Sequence, residues 1–418
     1  MKIVGLVTEY NPFHNGHVYH MNESKKICDA DYTIAVMSGN YVQRGAPAFL
    51  DKWHRTKMAL NNGIDIVIEL PTIYSSSSAE FFSYGAVKLL NSTGIVSSIS
   101  FGSETGNINL LQQISTTLSD EPIEYKSLLK NELNNGLGFA NARTKALINY
   151  YSKFDIRKFN PNDLIDVLSS PNNILGIEYL KALNRLNSSI KPYTLSRIQS
   201  SYHDQAIIKT ISSASAIRNS IETKKDSNLV NHTMPYESYE ILKSAIEQGF
   251  GPLTLNDFSQ ILNYILATSD KKHLKTINGI SEGLENRILN YYNNKSITVL
   301  LSKLSTKRYT NTRLNRALLN IILNITTEKF DKFHSYGGPQ YIKILGFKKE
   351  SSHLLKHLKN NCDLPIISNV KDSLKQLPAL SYEMLNDEIT YTDIYNLALP
   401  NKSLSKKGKE YTSEIIIL

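Results

Sequence analysis

Cysteine is nearly absent. Cys28 and Cys362 are the only two in 418 residues and stand near opposite ends of the chain. Two thiols cannot build a disulfide scaffold, so a reducing, cytoplasmic setting is expected. Long hydrophobic runs are missing as well: the longest clean ones, Ile64–Leu70 and Glu414–Leu418, are strand-sized, far below the roughly 18 residues of a membrane span. The opening Met-Lys-Ile-Val-Gly-Leu-Val turns polar at Thr8-Glu9 without a cleavage site, so it reads as a first strand rather than a leader. Glycine (20) and proline (13) are too few for collagen, and 41% hydrophobic against 20% charged residues excludes disorder and coiled coil. The length predicts two or three domains at about 150 residues each. Lys plus Arg number 47 against 38 Asp plus Glu, a net +9, which is the sign expected of a phosphate-rich partner.

Strand and helix signals alternate through the first hundred residues. Apolar, β-branched runs at Lys2–Glu9, Tyr32–Ser38, Asp65–Leu70 and Ser97–Phe101 enclose helical patterns at Gly16–Cys28, Asp51–Asn62 and Ala79–Leu90. That order predicts an α/β fold of Rossmann type, a parallel sheet with right-handed crossovers and helices on both faces. A mainly helical stretch follows to Leu186, with loops near Asp120–Pro122 and Phe159–Pro161, and Tyr193–Ile198 returns to the sheet as one more strand. Beyond Thr223 amphipathic helices dominate: Tyr236–Gln248, Leu255–Ala267, Glu282–Tyr292 and Thr312–Ile325. A strand–helix–strand pattern comes back at Tyr341–Gly346, Ser351–Lys359 and Pro365–Ile367. Two parts are expected: 1–222, a nucleotide-type α/β domain, and 223–418, a mainly helical region.

Three of ten histidines fall in Asn11-Pro12-Phe13-His14-Asn15-Gly16-His17-Val18-Tyr19-His20, directly after the first strand and opening the first helix. Open α/β sheets bind ligands at that edge. Gly16 lets a flat base or ribose pack on the backbone, and the helix N-terminus offers free N–H groups and a positive dipole to phosphates. Imidazoles three apart bracket the turn and can donate to charge building on phosphorus. No cysteine or third ligand supports zinc, and a buried structural cluster is the competing reading. Far downstream, Ile211-Ser212-Ser213-Ala214-Ser215-Ala216-Ile217-Arg218 offers hydroxyls and a cation at another helix start.

The first segment resembles the HxGH signature of the nucleotidyltransferase superfamily, and the second its ISSTxIR-like signature, without the lysine of the KMSKS form. Further segments bring the likeness closer: Ser38-Gly39-Asn40-Tyr41-Val42-Gln43-Arg44-Gly45 with Asp51-Lys52-Trp53, Ile68-Glu69-Leu70-Pro71, Phe101-Gly102-Ser103-Glu104, and Ser170-Pro171-Asn172-Asn173-Ile174-Leu175-Gly176-Ile177-Glu178-Tyr179. Together they resemble the bacterial tRNA(Met) cytidine acetate ligases over the whole length, most weakly in the last third. The resemblance implies a ligase that activates acetate with ATP, with Mg²⁺ on the phosphates, and acetylates the wobble cytidine of elongator tRNA(Met). It implies an ATP site of Val7, Thr8, Glu9, Tyr10, Asn11, Pro12, Phe13, His14, Asn15, Gly16, His17, Val18, Tyr19 and His20. Gly102 joins it, with one of the pair Asn172 and Asn173, and Arg197, Ser213 and Ser215. His14, His17 and Arg218 are the implied catalytic groups, and no protein-held metal is implied.

Three other clusters carry charge. Arg44, Asp51, Lys52 and Arg55 read either as cations for acetate or the tRNA backbone, or as the solvated face of a helix. His353 and His357 have metal spacing but no third ligand, so a solvated helix face is expected. Lys303, Lys307, Arg308, Arg313 and Arg316, with Tyr309 between, form the best basic-aromatic patch for RNA. A small-molecule nucleotidyltransferase and a non-catalytic RNA-binding protein share parts of this pattern and remain alternatives.

Overall fold

The computed structural model describes residues 1–154, 161–197, 212–224, 227–292, 296–306 and 309–418. Among sequence expectations, Phe159, Asn160, Ile198, Ile211, Lys307 and Arg308 lie outside these residues. Five parallel strands form the heart of the sheet: β1 (Ile3–Thr8), β2 (Tyr32–Ser38), β5 (Ile66–Leu70), β6 (Ser98–Ser103) and β7 (Lys191–Ser196). A small antiparallel hairpin, β3 (Tyr41–Val42) with β4 (Ala46–Pro47), follows β2. The parallel order β5-β2-β1-β6-β7 puts a topological switch between β1 and β6, where a crevice opens at the carboxyl ends. Strands β2 and β5 are buried almost throughout, as continuous apolar runs covered on both faces must be.

Helices α1 (Asn15–Ile27), α2 (Lys52–Asn61) and α3 (Ala79–Ser92) provide the crossovers. Asp51 caps α2 by accepting from His54 N at 3.0 Å. Helix α4 (Pro171–Arg185) leads into β7, and α5 (Ala214–Lys224) carries the second motif. The region beyond 223 is helical, including α6 (Asn311–Leu323), but it returns to the same sheet. Strand β8 (Ile342–Phe347) runs antiparallel to β5, and β9 (Ile366–Ile367) and β10 (Ile416–Ile417) run parallel to β8. The sheet is therefore mixed and mostly parallel. One buried apolar cluster runs from Ile3 and Ile34 through Leu318 to Tyr395 and Leu399. Among the described residues no helix is long and apolar enough to cross a membrane.

Buried charge holds the C-terminal segment in place. Helix α7 (Ala379–Leu397) and the short helix α8 (Lys409–Thr412) bring Thr392 and Glu410 against α2 and β8. Lys52 Nζ lies 2.5 Å from Glu69 Oε1 and also pairs with Glu410. Lys343 Nζ lies 2.9 Å from Glu69 and 2.5 Å from Glu410, whose Oε1 accepts from Thr392 Oγ1 at 2.6 Å. Arg55, wholly buried, donates to the carbonyls of Leu50 (2.9 Å), Glu9 (2.7 Å), Ser38 (2.9 Å) and Gly39. It ties the strand ends β1 and β2 to α2. Asp51 is buried too, paired with Lys409 at 2.8 Å. Lys52 and Arg55 are thus neither a solvated face nor cations open to acetate or RNA. Their side chains are engaged by buried partners that the linear pattern of α2 does not reveal. Arg44 is the exposed member of that group.

Candidate active site

Tyr10, at the exit of β1, adopts a left-handed φ of 45°, a conformation that costs a non-glycine residue energy and clusters at functional sites. It turns the chain so that His14 becomes the N-cap of α1. His14 Nδ1 accepts from Gly16 N at 3.0 Å, and His17 Nδ1 accepts from His14 N at 3.2 Å. The two imidazoles thus close a capping box usually built from a hydroxyl and a carboxylate. Because each Nδ1 accepts, the ring proton of each sits on Nε2. The rings stack with centroids 3.8 Å apart, backed by Tyr10 edge-on to His17 at 4.9 Å and by Phe13. Phe49 N fixes Asn11 Oδ1 at 2.7 Å beneath them.

The site keeps these rings uncharged. Burial, then Arg197 and Arg218, pull His14 down to about 4. Burial, then His14, His20 and Arg197, hold His17 well below the usual histidine range. Burial and Arg197 bring His20 to about 4. At neutral pH His14 and His17 therefore present Nε2–H donors without adding positive charge. His20 Nε2 is buried with no hydrogen-bond partner among the described residues. An orphan of that kind fits a site completed by a polar ligand.

The linkage has a sign. Between about pH 6.5 and 4 the unfolded chain protonates these rings and the folded chain does not, so stability falls as pH drops through that window. Denaturant unfolding across it should give a slope that His20→Gln reduces, by up to about 1.4 kcal/mol per pH unit, the value for one proton. An identical slope in the variant would mean that His20 protonates equally in both states.

Across the crevice, Arg197 follows β7 and its N–H donates to Ser103 O at 2.9 Å. Its Nη1 donates to Asn172 Oδ1 at 2.7 Å. Asn172 Nδ2 in turn donates to Glu104 Oε1 at 2.6 Å, and the N–H groups of Asn172 and Asn173 reach the two oxygens of Glu104 at 3.2 and 2.8 Å. Ser170 is the N-cap of α4, so Asn172 stands inside its first turn rather than capping it. Asn173 is buried and takes Thr105 N at 3.1 Å. Asn172 is the one of the pair that meets Arg197. Glu104, which closes the Phe101-Gly102-Ser103-Glu104 segment, has no role legible in the sequence. An acid ahead of a helix it caps from 68 residues away leaves no local signal.

A Cβ on Gly102 would meet Arg197 Cγ at 3.2 Å and Cδ at 3.7 Å. The bare backbone makes room for the stem of Arg197. Gly102→Val is expected to displace Arg197 and weaken ATP binding, while the histidine box stays intact. Calorimetry giving wild-type ATP affinity would show that the guanidinium finds its place without that room.

The second motif docks on the first. Arg218, a turn into α5, donates from Nη1 to Asn11 O at 2.6 Å. Ser213 Oγ accepts from Ala216 N at 3.2 Å and lies 3.0 Å from Ser215 Oγ; both serines are exposed. Burial lowers the pKa of Arg218, against Glu9 and Glu222. The structure thus gathers His14, His17, His20, Asn172, Arg197 and Arg218 at one crevice. It does not bring Lys52 or Arg55 to that surface. His353 and His357 lie on an exposed helix face, and no group of three or more His, Cys, Asp or Glu among the described residues could hold a metal. Tyr309 is buried under Arg313 and hydrogen-bonds Glu282 O at 3.0 Å, so it offers no ring for a base to stack on.

A doubly wound sheet whose first crossover helix is capped by two Nε2–H imidazoles, with arginines facing them across the switch point, defines a HIGH-type nucleotidyltransferase. The HIGH Nucleotidyl Transferase family model matches residues 1–410. The tRNA(Met) cytidine acetate ligase of Acetivibrio thermocellus is 42% identical over the full length of both chains, and that of Thermoanaerobacter sp. 44%. The crystal structure of Thermotoga maritima TmcAL bound with alpha-thio ATP superimposes with a TM-score of 0.92 at 34% identity, covering both chains completely. This chain belongs to the HIGH nucleotidyltransferase family and, within it, to the tRNA(Met) cytidine acetate ligases.

Proposed function

We propose that the chain adenylates acetate with ATP and transfers the acetyl group to the exocyclic amine of the wobble cytidine of elongator tRNA(Met), in the cytoplasm. The observation that carries the first half is the pair of Nε2–H donors fixed at the N-terminus of α1. A carboxylate oxygen of acetate attacks the α-phosphorus, the bond to the bridging oxygen breaks, and pyrophosphate leaves. His14 and His17 donate to the α-phosphate oxygens as charge builds there. Neutral donors suit this task, since no proton has to be lost at physiological pH before they act. Arg218, with Ser213 and Ser215, takes the departing pyrophosphate, and Arg197, held by Asn172, the nucleotide side. Mg²⁺ would neutralise part of the phosphate charge. No group of three or more His, Cys, Asp or Glu among the described residues could hold a metal, so phosphate oxygens and water would be its main ligands. In the second half the cytidine amine attacks the acyl carbon, the carbon–oxygen bond to AMP breaks, and the amine loses a proton. The base has to leave its stack to reach the site.

The proposed division of labour keeps the chemistry in 1–222 and gives 223–418 to the tRNA, on one shared sheet. The reaction, rather than this division, is what the names of the full-length relatives and the ATP analogue in the Thermotoga structure support. ATP–pyrophosphate exchange should require acetate. Exchange driven instead by a phosphorylated small molecule would favour an ordinary nucleotidyltransferase, and no exchange at all a binding protein.

A further inference from the structure

The sequence offered two separate RNA surfaces, one around Arg44 and one around Arg313 and Arg316. The fold brings them together. In the β3–β4 hairpin, Gly45 N donates to Val42 O at 2.9 Å and Gly45 holds φ +74°. A Cβ at Gly45 would strike the backbone of Asn315 and Arg316 on α6, so the hairpin tip is seated directly on that helix. On its other side the hairpin is pinned to the crevice, where Gln43 N donates to Glu9 Oε1 at 2.9 Å. Arg44 thus stands between the nucleotide site and the helical body.

The neighbouring cations are unevenly satisfied. Arg218 has Asn11 O, Glu9 and Glu222 near it. Arg313 has Ser281 Oγ at 2.9 Å, Glu282 at 3.7 Å and the Tyr309 ring. Exposed Arg44 and half-buried Arg316 have no hydrogen-bond or ion-pair partner among the described residues. Beside Arg316, Asn315 Oδ1 is buried and equally unpartnered. Arg44 acts on Arg218, and Arg313 on Arg316, as like charges. Arg44 and Arg316, each with no carboxylate of its own and brought together where Gly45 meets the backbone of Arg316, are free to take an external anion.

Resting on the reading that an RNA accepts the acetyl group, we propose that Arg44 and Arg316 form a step that holds backbone phosphates of the RNA between the helical body and the nucleotide site. The phosphates of ATP are the other possible source of the anion. The hairpin that carries Arg44 touches the crevice at Glu9 through Gln43 N and the helical body at Arg316 through Gly45, so the step lies along the hairpin rather than in the histidine cap. Such a step would grip the loop that delivers the target base, while carrying no base-edge readout of its own.

The test uses the full chain and a labelled anticodon stem-loop of elongator tRNA(Met), bound across a salt series and followed by anisotropy. Arg44→Gln/Arg316→Gln should lose about 1.4 log units of salt slope, two contacts at about 0.7 each for a single-stranded loop. Arg44→Gln alone, an exposed change that leaves the helix untouched, should lose half of that. Calorimetry with ATP should give wild-type affinity. An unaltered slope in both variants overturns the proposal, and so does a loss of ATP affinity matching the loss for RNA. RNA binding by the unaltered chain that loses salt slope in the variants, but is never followed by acetyl transfer, would refute the functional reading and leave the step standing.

Discussion

His17→Ala is expected to lower acetyl-adenylate formation by about 10²–10³-fold, the loss typical when one preorganised donor to a developing oxyanion is removed. The change deletes the Nε2–H donor and also the Nδ1 that accepts from His14 N, so His14 loses its anchor as well. His17→Gln separates these effects, because its amide can restore the cap without placing a donor at Nε2. Both variants should stay folded, with a modest loss in melting temperature, since the ring sits in the first turn of α1 and packs on Tyr10, Phe13 and His14. Adenylate formation at near wild-type rate would remove His17 from the chemistry.

Lys52→Met should be the most damaging change away from the crevice. Glu69 and Glu410 would share Lys343 alone in a fully buried setting, and removal of one partner from a buried ion pair costs about 3–5 kcal/mol. Urea unfolding at pH 7 measures it. Lys52→Met/Glu410→Gln should recover part of the loss, since one stranded carboxylate is gone. A cost below about 1 kcal/mol for the single variant would mean that water reaches the cluster and screens it.

These two residues mark the boundary of what the sequence discloses. The placing of His14, Gly16 and His17 is legible because it is local: strand end and helix start lie within a few positions, and the spacing brackets the turn, although the capping box itself appears only in the structure. The five parallel strands are legible for the same reason, each being a short apolar run between turn signals. Lys52 and Arg55 are not. Their helix carries polar residues that look solvated, while Glu410 lies 358 positions away and the carbonyls that Arg55 binds belong to other strand ends. The antiparallel entry of β8 is equally hidden, since period-two alternation carries no direction. Helix α7 escapes a pattern search because it is covered on several sides and buries Ser381, Glu388, Thr392 and Asn396 along with its apolar residues. The role of Glu104 stayed hidden because its three hydrogen bonds cross from β6 to α4.

The central claim is that one site joins acetate to ATP and delivers the acetyl group to a specific base. It is tested most directly by incubating the chain with labelled acetate, ATP and unmodified elongator tRNA(Met), then digesting the RNA to nucleosides. The account predicts label in N(4)-acetylcytidine from the wobble position alone, with AMP and pyrophosphate formed in step with it. Label absent from the RNA while ATP is consumed, or ADP and phosphate in place of AMP and pyrophosphate, would contradict it.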